Sequence, residues 1–179
     1  MSVWKMLGLD PKKLTSGGAQ SAKSSAQTET VRKIVQALDT MEPDQARHLA
    51  AYAYLLSRVA FADQKITPEE TQVMERLVMQ KGQLPEEQAI LVVQMAKTQS
   101  LLFSGTENFL VAREFGKITD HDQKLALLHC LYAVCAADKS ISTVEDNEIN
   151  KIARELKLSH QDFIGVRLNY RDQLAVFQS

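Results

Sequence analysis

Apolar residues recur at helical spacing along most of the chain. The clearest run has offsets of 0, 3, 4, 7, 10 and 11, and it consists of Leu49, Tyr52, Ala53, Leu56, Val59 and Ala60. Such offsets place the side chains on one face of an α-helix. No stretch alternates between apolar and polar residues for long enough to suggest a sheet. The pattern therefore predicts an all-α protein.

The run is repeated 75 residues later, at Leu127, Leu128, Leu131, Val134 and Cys135. Both runs lead into the same local pattern, Ala-Asp-x-x-Ile-Ser/Thr-x-x-Glu, which starts at Ala62 in the first copy and at Ala137 in the second. A further helical stripe follows each pattern: Val73, Met74, Leu77 and Val78 in the first copy, and Ile149, Ile152, Ala153 and Leu156 in the second. Each copy is therefore predicted to be a helical hairpin.

More helices are predicted around the two hairpins. Residues 31–38 form a first helix, residues 85–100 and 106–115 form two helices between the hairpins, and Ser159 with Asp162 begins the last one. Helix ends are expected at three glycines, Gly82, Gly105 and Gly116. We therefore predict a single bundle of about seven to eight helices, built from two pseudo-repeated hairpins.

Composition divides the chain at one place. Residues 15–28, TSGGAQSAKSSAQT, are small and polar, so this stretch is predicted to be a flexible linker. Before it lies a short apolar segment, residues 1–14, with Val3, Trp4, Met6, Leu7 and Leu9. Residues 29–179 are predicted to form the helical domain. The apolar segment either packs on this domain, docks into a groove of a protein partner, or contacts a membrane surface.

Charge and cysteine usage exclude several classes of protein. With 21 basic and 22 acidic residues interspersed along the chain, the net charge of -1 gives no electrostatic footprint for nucleic acid. The two cysteines, Cys130 and Cys135, lie in an apolar helical run, which indicates buried thiols in a reducing compartment. No signal peptide and no membrane-spanning stretch is recognised. We expect a cytoplasmic protein, with peripheral association with the inner membrane as a further option.

The repeated pattern is partly explained by helix capping. Thr67 with Glu70, and Ser142 with Glu145, have the spacing of a capping box, in which hydroxyl and carboxylate each bind a backbone N–H of the other residue. Proline at position 68 suits the first position of a helix. Capping accounts for the hydroxyl residue, the glutamate and their spacing. It leaves the aspartates unexplained.

Asp63 and Asp138 are each predicted at the end of a helix, where the helix dipole disfavours an acid. Lys65 and Lys139 could neutralise them locally. Alternatively, a divalent cation is held by the carboxylates of both copies, namely Asp63, Glu70, Asp138 and Glu145. The first half of an EF-hand loop is absent, which argues against a high-affinity calcium loop. His129, Cys130 and Cys135 could bind a soft metal, but core packing is the preferred interpretation.

The twice-used pattern resembles the TerB family of tellurite-resistance proteins and the related amino-terminal domain of a membrane-bound DnaJ-like co-chaperone. The trailing sequence LSHQDFIGVRLNYRDQL is similar to the closing helix of stand-alone members, and the resemblance extends over roughly residues 31–173. It implies an all-helical bundle, no established catalysis, and a role in stress responses at the inner face of the bacterial membrane. It also implies divalent-metal binding by Asp63, Glu70, Asp138 and Glu145. Family members usually have glycine after the aspartate, where this chain has Gln64 and Lys139.

Two functions follow from these observations. The first is a non-enzymatic, divalent-metal-responsive adaptor, for which Ca²⁺, Mg²⁺ and Zn²⁺ are not distinguished. The second is a metal-independent protein-interaction module, in which the acidic motifs only cap helices and the partner binds a groove or the Trp4 segment. An enzyme is not expected, because no nucleophile and base can be paired in the sequence.

Overall fold

The computed structural model describes residues 41–102 and 106–178. Within these ranges seven α-helices follow one another: α1 (Pro43–Ala60), α2 (Pro68–Gly82), α3 (Glu86–Leu102), α4 (Thr106–Ile118), α5 (His121–Cys135), α6 (Thr143–Glu155) and α7 (His160–Leu168). A 3₁₀ turn, Ala136–Asp138, follows α5, and two more, Arg171–Gln173 and Ala175–Phe177, come after α7. β-pairing in the described part is limited to an isolated parallel bridge between Ile141 and Leu174. The predicted all-α bundle is confirmed.

The helix starts are set by capping residues in the sequence. Helices α2, α5, α6 and α7 each begin with a complete capping box, at Thr67, Asp120, Ser142 and Ser159. Each of these side chains accepts a hydrogen bond from the backbone N–H three residues further on, which satisfies a group that has no partner inside the helix.

The predicted helix end at Gly116 is wrong, because α4 continues to Ile118. Glycine inside a helix costs only about 1 kcal/mol relative to alanine, so one glycine does not end a helix whose other contacts are favourable. The termination signal lies further on. The Thr119 hydroxyl donates to the Phe115 carbonyl at 2.6 Å, and Asp120 then caps α5.

Helix α1 is the centre of the bundle and packs against α2, α3, α4, α5 and α6. Every apolar residue of its predicted stripe is buried, and so are the five matching residues of α5. Burial also extends to the opposite face of α1, where Ala51, Tyr54 and Ser57 lie. The stripe predicted one buried face, whereas α1 is buried on all sides from Ala51 to Ala60, where other helices surround it.

Arg58 is a charged residue in the interior, with a side chain that is 2% exposed. Its Nε lies 2.6 Å from a Glu148 oxygen and its Nη1 lies 2.6 Å from a Glu155 oxygen. The same Nη1 donates to the carbonyl of Asn108 at 3.2 Å. Arg58 therefore joins α1 to α4 and α6, and it pairs with both carboxylates inside the bundle.

Several predictions fall on residues outside the described ranges. These are the apolar segment 1–14, the linker 15–28, the helix at 31–38 and the helix end at Gly105.

Candidate acidic junction

The two copies of the repeated pattern fold into the same turn. Asp63 Oδ1 accepts a hydrogen bond from the Lys65 N–H at 2.9 Å, and Asp138 Oδ1 accepts one from the Ser140 N–H at 3.1 Å. The residue after each aspartate is left-handed, with φ of 66° at Gln64 and 73° at Lys139. Glycine is the residue that most readily adopts this conformation, so both turns hold a residue with a side chain where the backbone favours glycine.

Glu70 and Glu145 reach back to the start of their helices. A Glu70 oxygen accepts from the Thr67 N–H at 2.6 Å, and a Glu145 oxygen accepts from the Ser142 N–H at 2.7 Å. Both glutamates are deeply buried, with 2% and 4% of their surface exposed. Both predicted capping boxes are present, and they turn each glutamate towards the interior.

The two glutamates meet between the hairpins, beside the thiol of Cys135. One ligand atom from each of the three residues lies within 4.8 Å of the other two. We call this group of Glu70, Glu145 and Cys135 the acidic junction. It joins the first turn of α2, the first turn of α6 and the last residue of α5.

Burial disfavours the charged forms of these groups. It raises the pKa of Glu70 to about 7, and the charge of Glu145 acts in the same direction, against the hydrogen bonds from Thr67. The pKa of Glu145 is also raised, first by burial and then by the charge of Asp63, against the hydrogen bonds from Ser142. Burial raises the pKa of the Cys135 thiol well above its usual value, and the neighbouring glutamates raise it further.

In the described part of the chain, no basic side chain forms an ion pair with the junction. Arg58, the buried arginine, is already paired with Glu148 and Glu155. Lys65 and Lys139, the expected local partners of the aspartates, form no ion pair among the described residues. The negative charge of the junction is therefore compensated by a proton or by a cation from solution.

The four acidic residues selected from the sequence occupy different positions. Glu70 and Glu145 face each other in the interior. Asp63 is exposed, but its charge acts on Glu145 and Cys135, which places it beside the junction. Asp138 is exposed at the end of a 3₁₀ turn that packs against α2, and its one described hydrogen bond is to Ser140.

The apolar helical run predicts that Cys135 lies in the core, and it is buried there with 1% of its surface exposed. Its position beside two carboxyl groups was missed. The signal available in the sequence was the repeat itself, because Cys135 matches Ala60 of the first copy and precedes the aspartate of its own copy by three residues.

The donor set of the junction fits a divalent cation. Zn²⁺ binds thiolate and carboxylate at about 2.0–2.3 Å in tetrahedral sites, where neighbouring ligand atoms are roughly 3.5 Å apart. The three ligand atoms, within 4.8 Å of one another, need only a small inward movement to reach that separation. Ca²⁺ and Mg²⁺ prefer oxygen ligands, which here are the carboxylates and water.

The described chain is thus an all-helical bundle of two pseudo-repeated hairpins that meet at buried acidic residues. The sequence profile of the family described as tellurite resistance protein TerB matches residues 48–168. The chain belongs to the TerB family, whose domain is generally non-enzymatic. No curated protein and no solved structure gives a significant match. None of the described helices is long and apolar enough to cross a membrane.

Proposed function

We propose that this protein is a non-enzymatic, divalent-metal-responsive adaptor in a bacterial stress response of the tellurite-resistance type. The observation that carries the proposal is the meeting of Glu70 and Glu145, which are 2% and 4% exposed and have no basic partner among the described residues. Two carboxylates in one buried place repel each other unless a proton or a cation lies between them. A divalent cation neutralises both at once.

A cation at the junction affects the contact between the two hairpins, because the junction lies where they meet. Glu70 belongs to α2 of the first hairpin and Glu145 to α6 of the second. A cation that binds both glutamates therefore bridges the hairpins, and its loss removes that bridge. Asp63, with Asp138 at the outer turn, is proposed to supply further oxygen ligands through water.

The proposed partner is another protein, bound through the Trp4 segment, and the proposed location is the cytoplasm. Association with the inner face of the membrane is a second role for the same segment, and nucleic acid is not a proposed partner. Deletion of residues 1–28 is expected to abolish recovery of the partner in a pull-down. Retention of the partner by the deleted chain would contradict this assignment.

Calorimetric titration of the purified protein with Zn²⁺, Mg²⁺ and Ca²⁺ tests metal binding. Glu70→Gln and Glu145→Gln are suitable variants because glutamine preserves a capping box but removes the charge. We expect saturable binding by the wild type and at least about a tenfold loss in each variant, which corresponds to about 1.4 kcal/mol. Glu69→Gln, in the exposed part of the same helical turn, is the matched control and should bind as the wild type does. No saturable binding by the wild type would refute the proposal.

A metal-independent interaction module is the second candidate. The observation that favours it is the completeness of both capping boxes, in which Glu70 and Glu145 already accept backbone hydrogen bonds without any ion. In that case a chelator would leave partner binding unchanged, and Glu70→Gln would leave it unchanged as well. The adaptor proposal predicts that both treatments weaken partner binding.

A further inference from the structure

The chain after α7 forms a strap across the second copy of the repeated turn. Residues 171–177, which we call the C-terminal strap, consist of two 3₁₀ turns joined at Leu174. Leu174 is 1% exposed and belongs to the hydrophobic core. The Ile141 N–H donates to the Gln173 carbonyl at 2.7 Å, and the Ala175 N–H donates to the Ile141 carbonyl at 2.9 Å. The strap is therefore anchored by one buried side chain and one short backbone bridge.

The first copy lacks this arrangement. Ile66 matches Ile141, but its N–H and carbonyl form no hydrogen bond within the described part of the chain. The residues that match the strap, 96–102, continue helix α3 instead. The two hairpins therefore differ in this respect. Among the described residues, only the second turn forms hydrogen bonds with the strap.

The strap and the acidic junction both form hydrogen bonds with the loop that contains Ile141 and Ser142. Ile141, held by the strap, is followed by Ser142, whose N–H donates to Glu145 at 2.7 Å. The Gln178 side chain adds a second attachment, because its Nε2 donates to the Lys139 carbonyl at 3.3 Å and to the Asp172 carbonyl at 2.9 Å. A change in the position of Glu145 therefore acts directly on the residue next to the backbone bridge.

A second route runs through the residue after Glu145. The Asp146 carboxylate accepts from the Arg167 guanidinium at 2.8 Å and from the Tyr132 hydroxyl at 2.7 Å. The same guanidinium lies over the Phe177 ring, 5.6 Å from its centre. Phe177 and Val176 are about half exposed, so the strap presents apolar surface to the outside.

We propose that the C-terminal strap transmits the state of the acidic junction to the surface. This inference rests on the proposed function, because it requires a cation at Glu70 and Glu145. When the cation is bound, the charge of Glu145 is balanced, the Ser142 loop is held and the strap is closed on Ile141. When the cation is lost, nothing bridges Glu70 and Glu145, the Ser142 loop is held less firmly, and the strap opens more often. The strap is suited to this role because Leu174 is its one buried residue, and segments with few buried contacts open locally before the core does.

Hydrogen exchange of the full-length protein, followed by NMR with and without Zn²⁺, tests the proposal. The Ile141 and Ala175 amides report the bridge, and we expect zinc to slow their exchange by at least about fivefold, a typical scale of coupling between sites. The Leu158 amide, which donates to the Ala153 carbonyl at 3.0 Å at the end of α6, is the matched control and should change little.

The outcomes separate this inference from the function on which it rests. If Zn²⁺ binds the glutamates but the Ile141 and Ala175 amides exchange as before, the strap proposal is overturned and metal binding stands. If Zn²⁺ does not bind at all, both are overturned. Equal slowing of the Leu158 amide would indicate global stabilisation and would also overturn the strap proposal.

The affinity for Zn²⁺ provides a second measurement of the coupling between the strap and the junction. Gln178→Ala removes the attachment to Lys139 at an exposed position, so the bundle should remain folded. Because coupling between two sites is reciprocal, this variant is expected to bind Zn²⁺ several-fold more weakly than the wild type. Val176→Ala changes an exposed strap residue that makes none of these bonds, and its zinc affinity should be unchanged. Equal affinity in Gln178→Ala and wild type would contradict the coupling.

Discussion

Glu70 and Glu145 lie 75 positions apart in the sequence, yet their carboxyl groups are neighbours in the interior of the bundle. Each one caps its own helix, and each is turned inward by the cap. The repeat thus places two equivalent acids at one interface.

Without divalent cations, the stability of the protein should decrease as the pH rises from about 4.5 to about 7. Burial raises the pKa of Glu70 from 4.5 to about 7 in the folded protein. The folded state therefore binds more protons than the unfolded state between these two pH values. The resulting stabilisation is complete below a pH of about 4.5 and is lost as the pH rises through about 7. The expected loss in the free energy of unfolding is of the order of 1–3 kcal/mol, because each unit of pKa difference is equivalent to about 1.4 kcal/mol. The hydrogen bonds from Thr67 partly offset the effect of burial.

Urea unfolding in the presence of a chelator, at pH values from 5 to 8, measures this dependence. Glu70→Gln should flatten the curve, whereas Glu69→Gln should retain it. A wild-type stability that increases through this pH window would show that Glu70 is ionised and favourably paired in the folded protein.

Replacement of Cys135 by alanine should change which cation is bound. Alanine is the residue at the matching position of the first copy, Ala60, so the fold accommodates it there. Loss of the thiolate is expected to reduce zinc affinity by at least about tenfold, or about 1.4 kcal/mol, while Mg²⁺ binding through oxygen is retained. Cys130→Ala removes the cysteine outside the junction and serves as the control in competition titrations. If both variants bind zinc as the wild type does, Cys135 is not a ligand.

Arg58→Ala should destabilise the bundle strongly. The substitution leaves Glu148 and Glu155 without their cation, and removal of one partner from a buried ion pair costs about 3–5 kcal/mol. Thermal and urea unfolding measure the change. Arg154→Ala, at an exposed position of α6, is the control and should stay within about 0.5 kcal/mol of the wild type. A loss below about 1 kcal/mol for Arg58→Ala would mean that the two glutamates find other partners.

Lys139→Gly should leave cation affinity nearly unchanged and should not reduce stability. Lys139 has φ of 73°, a conformation that costs a residue with a side chain about 1–2 kcal/mol and glycine little. Its ammonium forms no ion pair among the described residues, so its loss should not free a carboxylate. Calorimetry and urea unfolding of the variant measure both quantities. A large change in metal affinity would show that the Lys139 ammonium does neutralise Asp138.

Much of the fold could be predicted from the sequence because its signals are local. Thr67 and Glu70, or Ser142 and Glu145, specify a helix start within four residues, and the apolar stripes specify which face is buried. The repeat predicted two equivalent hairpins, and the two turns after Asp63 and Asp138 are indeed alike.

The junction and the strap could be predicted only in part because they depend on tertiary packing. The sequence pattern indicated four acids of equal standing, and the capping boxes distinguish the two glutamates but do not show that these meet in the interior. Cys135 joins Glu70 and Glu145 because α5 packs against both of their helices, and a stripe of apolar residues gives no sign of that. The bridge from Ile141 to Leu174 joins residues with no shared pattern, and the buried ion pair of Arg58 likewise joins distant segments.

The most direct test of metal binding at the junction is carboxyl-carbon NMR of Glu70 and Glu145 during a zinc titration of the full-length protein. We expect both side-chain carboxyl signals to shift together and to saturate with one equivalent of zinc, while the exposed Glu69 signal remains in place. Shifts confined to exposed acids, or no saturable change at Glu70 and Glu145, would contradict it.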